Sequence, residues 1–244
     1  MEVGVSGEHW PSGGVNAALQ ILSSLDKDHH LAIDIGAHEG ETAVAVHSAG
    51  LSQMRCISIE PNPVSFTKLK LNTQSLKNID FEIEYLGSAV GSEVGTKSFL
   101  LTNESAVSGL LEPFSGVSER VPTGDHRIVE RFNVGVITVD SLCSSHNLDH
   151  IDLLKIDTEG FDLEVLRGAR KVLERNLASV ILSEVFFVNY RKEQCFFWDT
   201  ASYLHQLGYF FVGLFDTRLT TQGRLYTGNG IWVSSQVGQS LGYL

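Results

Sequence analysis

Two pairs of acidic residues lie at the ends of apolar runs, where their carboxylates could bind a ligand or act as a base. Asp157 and Glu159 follow directly after the apolar run Ile151–Ile156, and Asp34 and Glu60 stand at the ends of two earlier apolar runs. A carboxylate at the end of a strand can accept hydrogen bonds from ribose hydroxyls, hold a ligand ammonium group or take a proton from an acceptor hydroxyl. These residues therefore predict a site for a nucleoside-bearing ligand at one edge of a sheet.

The first of these acids lies in Leu31–Gly40, which reads LAIDIGAHEG. This order is typical of a strand, a tight turn and the start of a helix. Gly36 and Gly40 allow a positive φ and a close approach of the backbone to a ligand, and the free N–H groups of the helix start suit an anion. The simpler alternative is a glycine-rich turn with Asp34 as a cap.

The next two strand ends carry complementary features. Glu60, in Ile57–Pro63, is placed to accept two hydrogen bonds from ribose hydroxyls; its simpler role is that of a solvated carboxylate. The small residues of Tyr85–Gly91 leave room for a flat adenine, with Ser88 or a backbone amide at its edge. A plain turn explains this last segment equally well.

The acids around the later strands are candidates for a general base. Asp157 and Glu159 have a simpler role as caps of the following helix, but capping explains one acid better than two. Glu184 belongs to the next apolar run and has pairing with a basic side chain as its alternative. His126, in a polar segment, is a further candidate base whose alternative is a solvated side chain.

An α/β architecture is needed to bring these residues together. Apolar runs predict strands at 31–35, 54–60, 79–86, 98–102, 134–139, 151–156, 180–188, 209–215 and 230–234. Helical spacing predicts helices at 15–25, 41–48, 63–75, 162–174 and 194–207, while residues 103–133 show no clear period and are expected to be irregular. The alternation predicts a doubly wound, mostly parallel sheet with helices on both faces.

A chain of 244 residues is expected to form one large α/β domain over 31–244. Residues 1–30 form an N-terminal segment and helix before it. The first 14 of these residues are rich in Gly and Ser and are expected to be loose or to act as a lid over the site. They lack the basic start and apolar middle of a signal peptide.

The composition indicates an acidic chain in a reducing compartment. The formal net charge of −11 and the pI near 5.2 predict that nucleic acid is not a partner. No apolar run approaches the length of a membrane helix, so no membrane partner is expected. Cys56, Cys143 and Cys195 are sparse and lack metal-ligand spacing, so we predict a cytoplasmic protein without a metal site.

Four motifs together resemble the FkbM family of S-adenosylmethionine-dependent methyltransferases. They are DIGAHEG at 34–40, IEPNP at 59–63, GSAVG at 87–91 and, most distinctive of the family, LLKIDTEGFDLEVLRG at 153–168. The resemblance covers roughly residues 31–235. It implies a Rossmann-like fold of about seven strands whose last strand is antiparallel. It also implies S-adenosyl-L-methionine as the cofactor, S-adenosyl-L-homocysteine as the product and, usually, an oxygen acceptor on a sugar or natural product.

The resemblance also assigns roles to individual residues. The methionine end of the donor would meet the first turn, the ribose would meet the second strand end, and the adenine would meet the third. In that order the residues are Asp34, Gly36, Ala37, His38 and Gly40; Glu60, Pro61 and Asn62; and Ser88 and Ala89. Asp157 would face the methionine moiety or the acceptor, and Ser108 and Gly109 would touch the donor. His38 stands where a glycine is common; it is a turn residue, with a catalytic role as the alternative.

The expected reaction is O-methylation of a small molecule, sugar or natural-product hydroxyl, with Asp157, Glu159 and Glu184 as catalytic residues. A metal-dependent catechol-type O-methyltransferase, in which these acids hold Mg²⁺, is one alternative. A non-catalytic cofactor-binding module is another, while a missing G-x-G-x-x-G disfavours an NAD dehydrogenase. The aromatic residues Phe186, Phe187, Phe196, Phe197 and Trp198 form a dimer face, an acceptor wall or, by default, part of the core.

Overall fold

A computed structural model describes residues 13–25, 27–122 and 124–243. Its centre is a seven-stranded sheet in the order β3-β2-β1-β7-β8-β10-β9. These strands are β1 (His30–Ile35), β2 (Met54–Ile59), β3 (Phe81–Leu86), β7 (Ile151–Ile156), β8 (Ala178–Phe186), β9 (Tyr209–Leu219) and β10 (Leu225–Ser234). All neighbours from β3 to β8 are parallel, and β10 is antiparallel to both β8 and β9. The predicted Rossmann-like sheet with an antiparallel last strand is confirmed.

Helices cover both faces of this sheet. In chain order they are α1 (Gly14–Ser23), α2 (Glu41–Ser48), α3 (Pro63–Thr73), α4 (Val117–Arg120), α5 (Val139–His146), α6 (Asp162–Arg167), α7 (Arg170–Glu174), α8 (Phe197–Gln206) and α9 (Ser235–Ser240). Buried side chains of α1, α2 and α9 share one apolar cluster, and those of α5 to α8 share another. The strands contribute to both clusters because their side chains alternate: Ile33 and Ile35 belong to one and Ala32 to the other.

Strand β7 lies at the middle of the sheet and all six of its residues are buried. A strand between two parallel neighbours and two helix layers has no solvated face, which is why its sequence is almost continuously apolar. Its one cation, Lys155, is therefore an exception that the core must accommodate. The prediction that the strand over 151–156 is buried on both faces is confirmed.

Helix α1 packs against the core of the sheet. Ala17, Ala18 and Leu22 are fully buried, and the helix lies against β8. Its first amide, that of Gly14, donates to the Asp216 carboxylate at 2.7 Å and so connects the helix to β9. The predicted lid falls on residues 1–14, of which 1–12 lie outside the described residues.

The prediction of an irregular segment over 103–133 is partly wrong. Strand β6 (Ile128–Ile137) starts inside it and pairs with β5 (Gly95–Thr102) and the short β4 (Ala89–Val90) in a second sheet. The first half of β6 is largely exposed, so its sequence lacks the apolar alternation of a half-buried strand. The remainder contains a 3-10 turn at Ser105–Val107 and helix α4.

The single helix predicted over 162–174 is two helices, α6 and α7. The helix is interrupted between them, where Gly168 packs against the backbone of Gly91. A Cβ atom on Gly168 would lie 2.0 Å from the carbonyl oxygen of Gly91. Helix α5 was not predicted; Thr138 and Ser141 begin it with a reciprocal capping box. None of the helices in the described ranges is long and apolar enough to cross a membrane.

Candidate active site

A cavity of about 710 Å³ opens at the carboxyl ends of β1, β2, β7 and β8. Most of the residues predicted from the sequence line it, namely Gly36, Ala37, His38, Glu60, Pro61, Ser88, Ala89, Ser108, Gly109, Asp157, Glu159 and Glu184. Asp34, Gly40 and Asn62 do not line it. The carboxyl edge is where open α/β sheets bind ligands, and here these residues come from six chain segments.

The turn after β1 is drawn tightly onto the neighbouring strand ends. The amides of Gly36 and Ala37 both donate to the carbonyl of Ile59, at 3.0 and 3.1 Å. Gly36 has a φ of +77°, and a Cβ atom there would lie 1.8 Å from the carbonyl oxygen of Asp157. Glycine is required at this position because the first turn and the loop after β7 touch through their backbones.

Gly40 and Asn62 lie behind the residues that line the cavity, at the starts of α2 and α3. Gly40 has a φ of +101° and would place a Cβ atom 2.7 Å from the side chain of Thr73, so it allows α2 to start against α3. Asn62 is buried and caps α3 by accepting a hydrogen bond from the amide of Val64 at 3.0 Å. The structure thus places these two residues where they fix helix starts, whereas the resemblance implied contact with the donor.

Glu60 presents a buried carboxylate to the cavity. Its Oε2 accepts a hydrogen bond from the amide of His38 at 2.9 Å, and its Oε1 accepts one from the amide of Asn62 at 2.7 Å. Burial raises the pKa of this carboxyl to about 7, although the two amide donors oppose the rise. Each oxygen can accept a further hydrogen bond, which is what two ribose hydroxyls require.

Lys155 holds two acids from inside the sheet. Its ammonium group lies 3.2 Å from Asp34 Oδ1 and 3.5 Å from Asp157 Oδ2, and donates to the carbonyl of Gly36 at 3.2 Å. Burial opposes this positive charge, but the two carboxylates together raise the pKa of Lys155 above its ordinary value. Asp34 is fully buried, so it stabilises Lys155 rather than lining the cavity.

Lys155 is not among the site residues predicted from the sequence, although the sequence carries a signal for it. A lysine inside an apolar strand two residues before an acid must find buried partners, because an unpaired buried ammonium group is very costly. Lys155 lines the cavity, and so do Glu41, Thr158 and Arg218, which the sequence analysis also left out. Glu41, Thr158 and Arg218 lie in a loop or near the ends of elements, where hydrophobic periodicity carries little information.

Three carboxylates converge on the far side of the cavity. Asp157, Glu159 and Glu184 each place one oxygen within 4.8 Å of the others. Thr227 donates to Glu184 Oε1 at 3.1 Å, and among the described residues Glu184 Oε2 has no hydrogen-bond partner. Burial raises the pKa of Glu184 well above its ordinary value, and the charges of the neighbouring acids raise it further. A carboxylate whose pKa is raised is a stronger base than an ordinary one, which makes Glu184 a candidate to take the proton of an acceptor hydroxyl.

The opposite wall of the cavity is the segment 104–110. His38 Nε2 and Ser105 Oγ lie 3.2 Å apart and join this wall to the first turn. Ser108 accepts a hydrogen bond from the amide of Thr102 at 3.1 Å, which ties the wall to β5. Glu41, whose carboxylate lies 3.5 Å from His38 Nδ1, raises the pKa of that histidine, while burial opposes the rise.

Several other candidates lie away from the cavity. His126 is buried with its ring edge-on to that of Tyr190 at 5.2 Å and is not among the described residues that line the cavity. The aromatic residues named above do not line it either. Phe186 is buried in the core, whereas Trp198 is 59% exposed.

A second cavity, of about 720 Å³, lies at the amino ends of the strands. Charged side chains in this cavity pair with one another. Lys27 Nζ lies 2.6 Å from Asp152 Oδ1 and 2.7 Å from His150 Nε2. Because parallel sheets bind ligands at the carboxyl ends of their strands, we assign the first cavity as the candidate active site.

A family model described as the methyltransferase FkbM domain matches residues 34–211, which is most of the chain. The chain belongs to the FkbM methyltransferase family. The resemblance carried by the four motifs is confirmed, and with it the prediction of an S-adenosylmethionine-dependent methyltransferase. The match includes the turn after β1, the Glu60 strand end and the whole of the motif around Asp157.

Solved structures agree with this fold. The chain is similar to methyltransferase FkbM from Methylobacillus flagellatus KT, with 18% identity and a TM-score of 0.55 over 84% of this chain. It spans 44% of the length of that protein. It is also similar to magnesium protoporphyrin IX methyltransferase from Synechocystis PCC 6803 with bound SAM, with 11% identity, a TM-score of 0.50 and coverage of 91% of this chain and 78% of that one. Among curated protein sequences no relative matches the chain.

The prediction that excluded nucleic acid and left only a small-molecule acceptor is wrong. The similar solved structures include an rRNA methylase from Streptococcus thermophilus, with 8% identity, a TM-score of 0.47 and coverage of 94% of this chain and 98% of that one. The physical reason is that net charge is a sum over the whole surface. It does not describe the face that meets the acceptor, and one fold serves several acceptor classes.

Proposed function

We propose that this methyltransferase transfers a methyl group from S-adenosyl-L-methionine to a hydroxyl oxygen, as in a sugar or another natural product. The observation that carries the proposal is the convergence of Asp157, Glu159 and Glu184 within 4.8 Å in a cavity that also contains the turn after β1. A base is needed when the acceptor is an alcohol, because a neutral hydroxyl is a weak nucleophile.

The donor is proposed to lie along the strand ends from β7 to β3. The methionine end meets Gly36, Ala37 and His38, the ribose hydroxyls meet Glu60, and the adenine lies between Ser88, Ala89 and Ser108. All of these residues line the same cavity, which supports the assignment. A volume of about 710 Å³ falls within the usual range of about 300–1,000 Å³ for ligand sites.

The proposed chemistry is an in-line displacement at carbon. The acceptor oxygen forms a bond to the methyl carbon while the carbon–sulfur bond breaks, and its electron pair stays on sulfur to leave S-adenosyl-L-homocysteine. The hydroxyl proton passes to a carboxylate of the cluster. Much of the rate enhancement would come from alignment, with the acceptor oxygen about 3 Å from the methyl carbon.

The test combines binding and turnover. S-adenosylhomocysteine binding is measured by calorimetry, and transfer of a tritiated methyl group is measured with a panel of sugars, glycosides and phenols. We expect Asp157→Ala to lower the transfer rate by about 100-fold or more, whereas Asp149→Ala, at an exposed site away from the cavity, behaves like the wild type. Near-normal binding and turnover in Asp157→Ala would remove this residue from the site.

The same cluster favours a second candidate, a metal-dependent O-methyltransferase. Three carboxylate oxygens within 4.8 Å fit the oxygen ligands that Mg²⁺ prefers, and a bound cation would acidify the acceptor hydroxyl. Loss of activity with EDTA and its return with Mg²⁺ would favour this candidate, and activity that survives EDTA would exclude it.

A non-catalytic cofactor-binding module is tested by the same calorimetry and acceptor panel. Binding of S-adenosylmethionine without turnover of any acceptor would favour it. The cytoplasmic location stays a prediction, for which the three free cysteines are the support.

A further inference from the structure

We propose that Tyr190 and Arg191 are positioning residues that hold Glu159 toward the acceptor and couple it to the opposite wall of the cavity. The inference rests on the proposed role of the carboxylate cluster in methyl transfer. It assigns a task to two residues that the sequence analysis did not single out and that do not themselves line the cavity.

Glu159 is held by two donors on one oxygen. The Tyr190 hydroxyl and the Arg191 guanidinium each donate to Glu159 Oε2 at 2.8 Å. With Oε2 engaged by both donors, the lone pairs of Oε1 are the ones left for an acceptor hydroxyl or its proton. The side chain is only 14% exposed, so its direction is set by these contacts rather than by solvent.

Arg191 bridges two walls of the cavity. The nitrogen that donates to Glu159 also donates to the carbonyl of Val107 at 2.5 Å, and Val107 belongs to the wall segment 104–110. The guanidinium lies over the Tyr190 ring at 4.6 Å and its side chain is 1% exposed. A fully buried cation that contacts both walls couples the position of one wall to the position of the other.

The loop that carries the pair is itself fixed. Gln194 Oε1 accepts hydrogen bonds from the amides of Tyr190, at 2.9 Å, and Arg191, at 2.5 Å. The amide of Phe114 donates to the Tyr190 carbonyl at 2.9 Å. Gly160, directly after Glu159, packs against this loop, since a Cβ atom there would lie 3.1 Å from Gln194 Cβ. The donors are therefore placed before any ligand arrives, which is the requirement for preorganisation.

Stability alone does not explain this arrangement, because buried ion pairs are often no more stabilising than apolar residues of similar size. The contacts instead fix the direction of the Glu159 side chain, because both donors engage the same oxygen. Burial raises the pKa of Glu159, and the Arg191 charge and the Tyr190 hydroxyl oppose that rise.

The test compares Tyr190→Phe with Tyr203→Phe, in which the lost hydroxyl contacts the carbonyl of Leu166 on a different part of the molecule. Losing the Tyr190 hydroxyl removes one of the two donors that fix Glu159 Oε2. We expect kcat to fall about tenfold. Binding of S-adenosylhomocysteine should change less than about twofold, since these residues do not line the cavity.

Arg191→Met tests the bridge, with Arg170→Met as the control at an exposed ion pair. If Arg191→Met does not fold, the double variant Arg191→Met/Glu159→Gln removes both charges and should fold. We expect the double variant to bind S-adenosylhomocysteine as the wild type does and to have the turnover of Glu159→Gln alone, because Arg191 acts through Glu159. A double variant with turnover well below that of Glu159→Gln would overturn the proposal.

A crystal structure of Tyr190→Phe keeps this inference separate from the proposed function. If the wild type methylates no acceptor of the panel, the proposed function fails, and the structure of Tyr190→Phe still decides whether Tyr190 holds the Glu159 carboxylate in place. If the wild type is active but Tyr190→Phe has the kcat of Tyr203→Phe, only the inference fails. Parallel losses of kcat, binding and thermal stability would also overturn it, because they indicate a merely structural role.

Discussion

Two buried cations, Lys155 and Arg191, hold acids of the same cluster, but different kinds of structure place them. Lys155 pairs with Asp34 directly across the register of β1 and β7. Arg191 stands in a loop after β8 and reaches Glu159 in the loop after β7. One pair is thus fixed by the sheet, and the other by contacts between loops.

The difference separates two tasks of the site. The sheet-held pair also contacts the carbonyl of Gly36, so it belongs to the framework on which the donor is proposed to lie. The loop-held pair contacts the wall at Val107 and lies on the side of the cavity where we propose that the acceptor binds. Changes in the first pair should therefore affect folding and donor binding, and changes in the second should affect turnover.

Lys155→Met should have the largest effect on the sheet-held pair. It leaves the fully buried Asp34 carboxylate without its cation, which costs about 3–5 kcal/mol of unfolding free energy. Urea denaturation measures this cost, with Lys68→Met as the control because that lysine is half exposed on the surface. An unfolding free energy close to that of the wild type would show that the sheet does not depend on this pair.

Gly36→Ala should be the next largest change. The new Cβ atom would collide with the carbonyl of Asp157 at a φ of +77°, at a cost of about 2–4 kcal/mol. Gly50→Ala is the matched control, since Gly50 has a φ of +65° but no atom within 4 Å of the added Cβ, so only backbone strain of about 1–2 kcal/mol remains. Equal losses in both variants would contradict the close approach of the two loops.

Glu60 predicts a pH dependence on the donor side. Its folded-state pKa of about 7 lies above the ordinary value of 4.5, so the folded protein binds the proton more tightly than the unfolded chain. This stabilisation is complete below about pH 4.5 and is lost as the pH rises through about 7, a loss of roughly 3 kcal/mol. Denaturation between pH 4 and 8 should show a decline that is shallower in Glu60→Gln, and an identical slope in both proteins would exclude this assignment.

The smallest effect is expected from Ser105→Ala, which removes the 3.2 Å contact with His38 between the first turn and the wall. One partly exposed hydrogen bond contributes about 0.5–1 kcal/mol, so S-adenosylhomocysteine should bind about two- to fivefold more weakly. Calorimetry measures this change against Ser144→Ala on the exposed part of α5. A tenfold loss would mean that the wall depends on this contact more than on Arg191.

The same division explains what the sequence could predict. The framework strands and the acids at their ends were predicted because buried strands produce apolar runs that stop where the site begins. The buried ion pair of Lys155 could also have been predicted, because Lys155 interrupts such an apolar run. Tyr190 and Arg191 were not, because Arg191 contacts partners 32 and 84 positions away without any period in the sequence. The prediction that nucleic acid is not a partner was wrong for a related reason. A net charge does not show where on the surface the individual charges lie.

The most direct test of the whole account is a crystal structure with S-adenosylhomocysteine. We predict that its ribose hydroxyls contact Glu60 and that its sulfur lies beside Gly36–His38, directed at the cluster of Asp157, Glu159 and Glu184. The vacant methyl position should then be separated from the nearest cluster oxygen by the space of one acceptor hydroxyl. A sulfur directed away from these carboxylates, or a ligand in the cavity at the amino ends of the strands, would contradict the account.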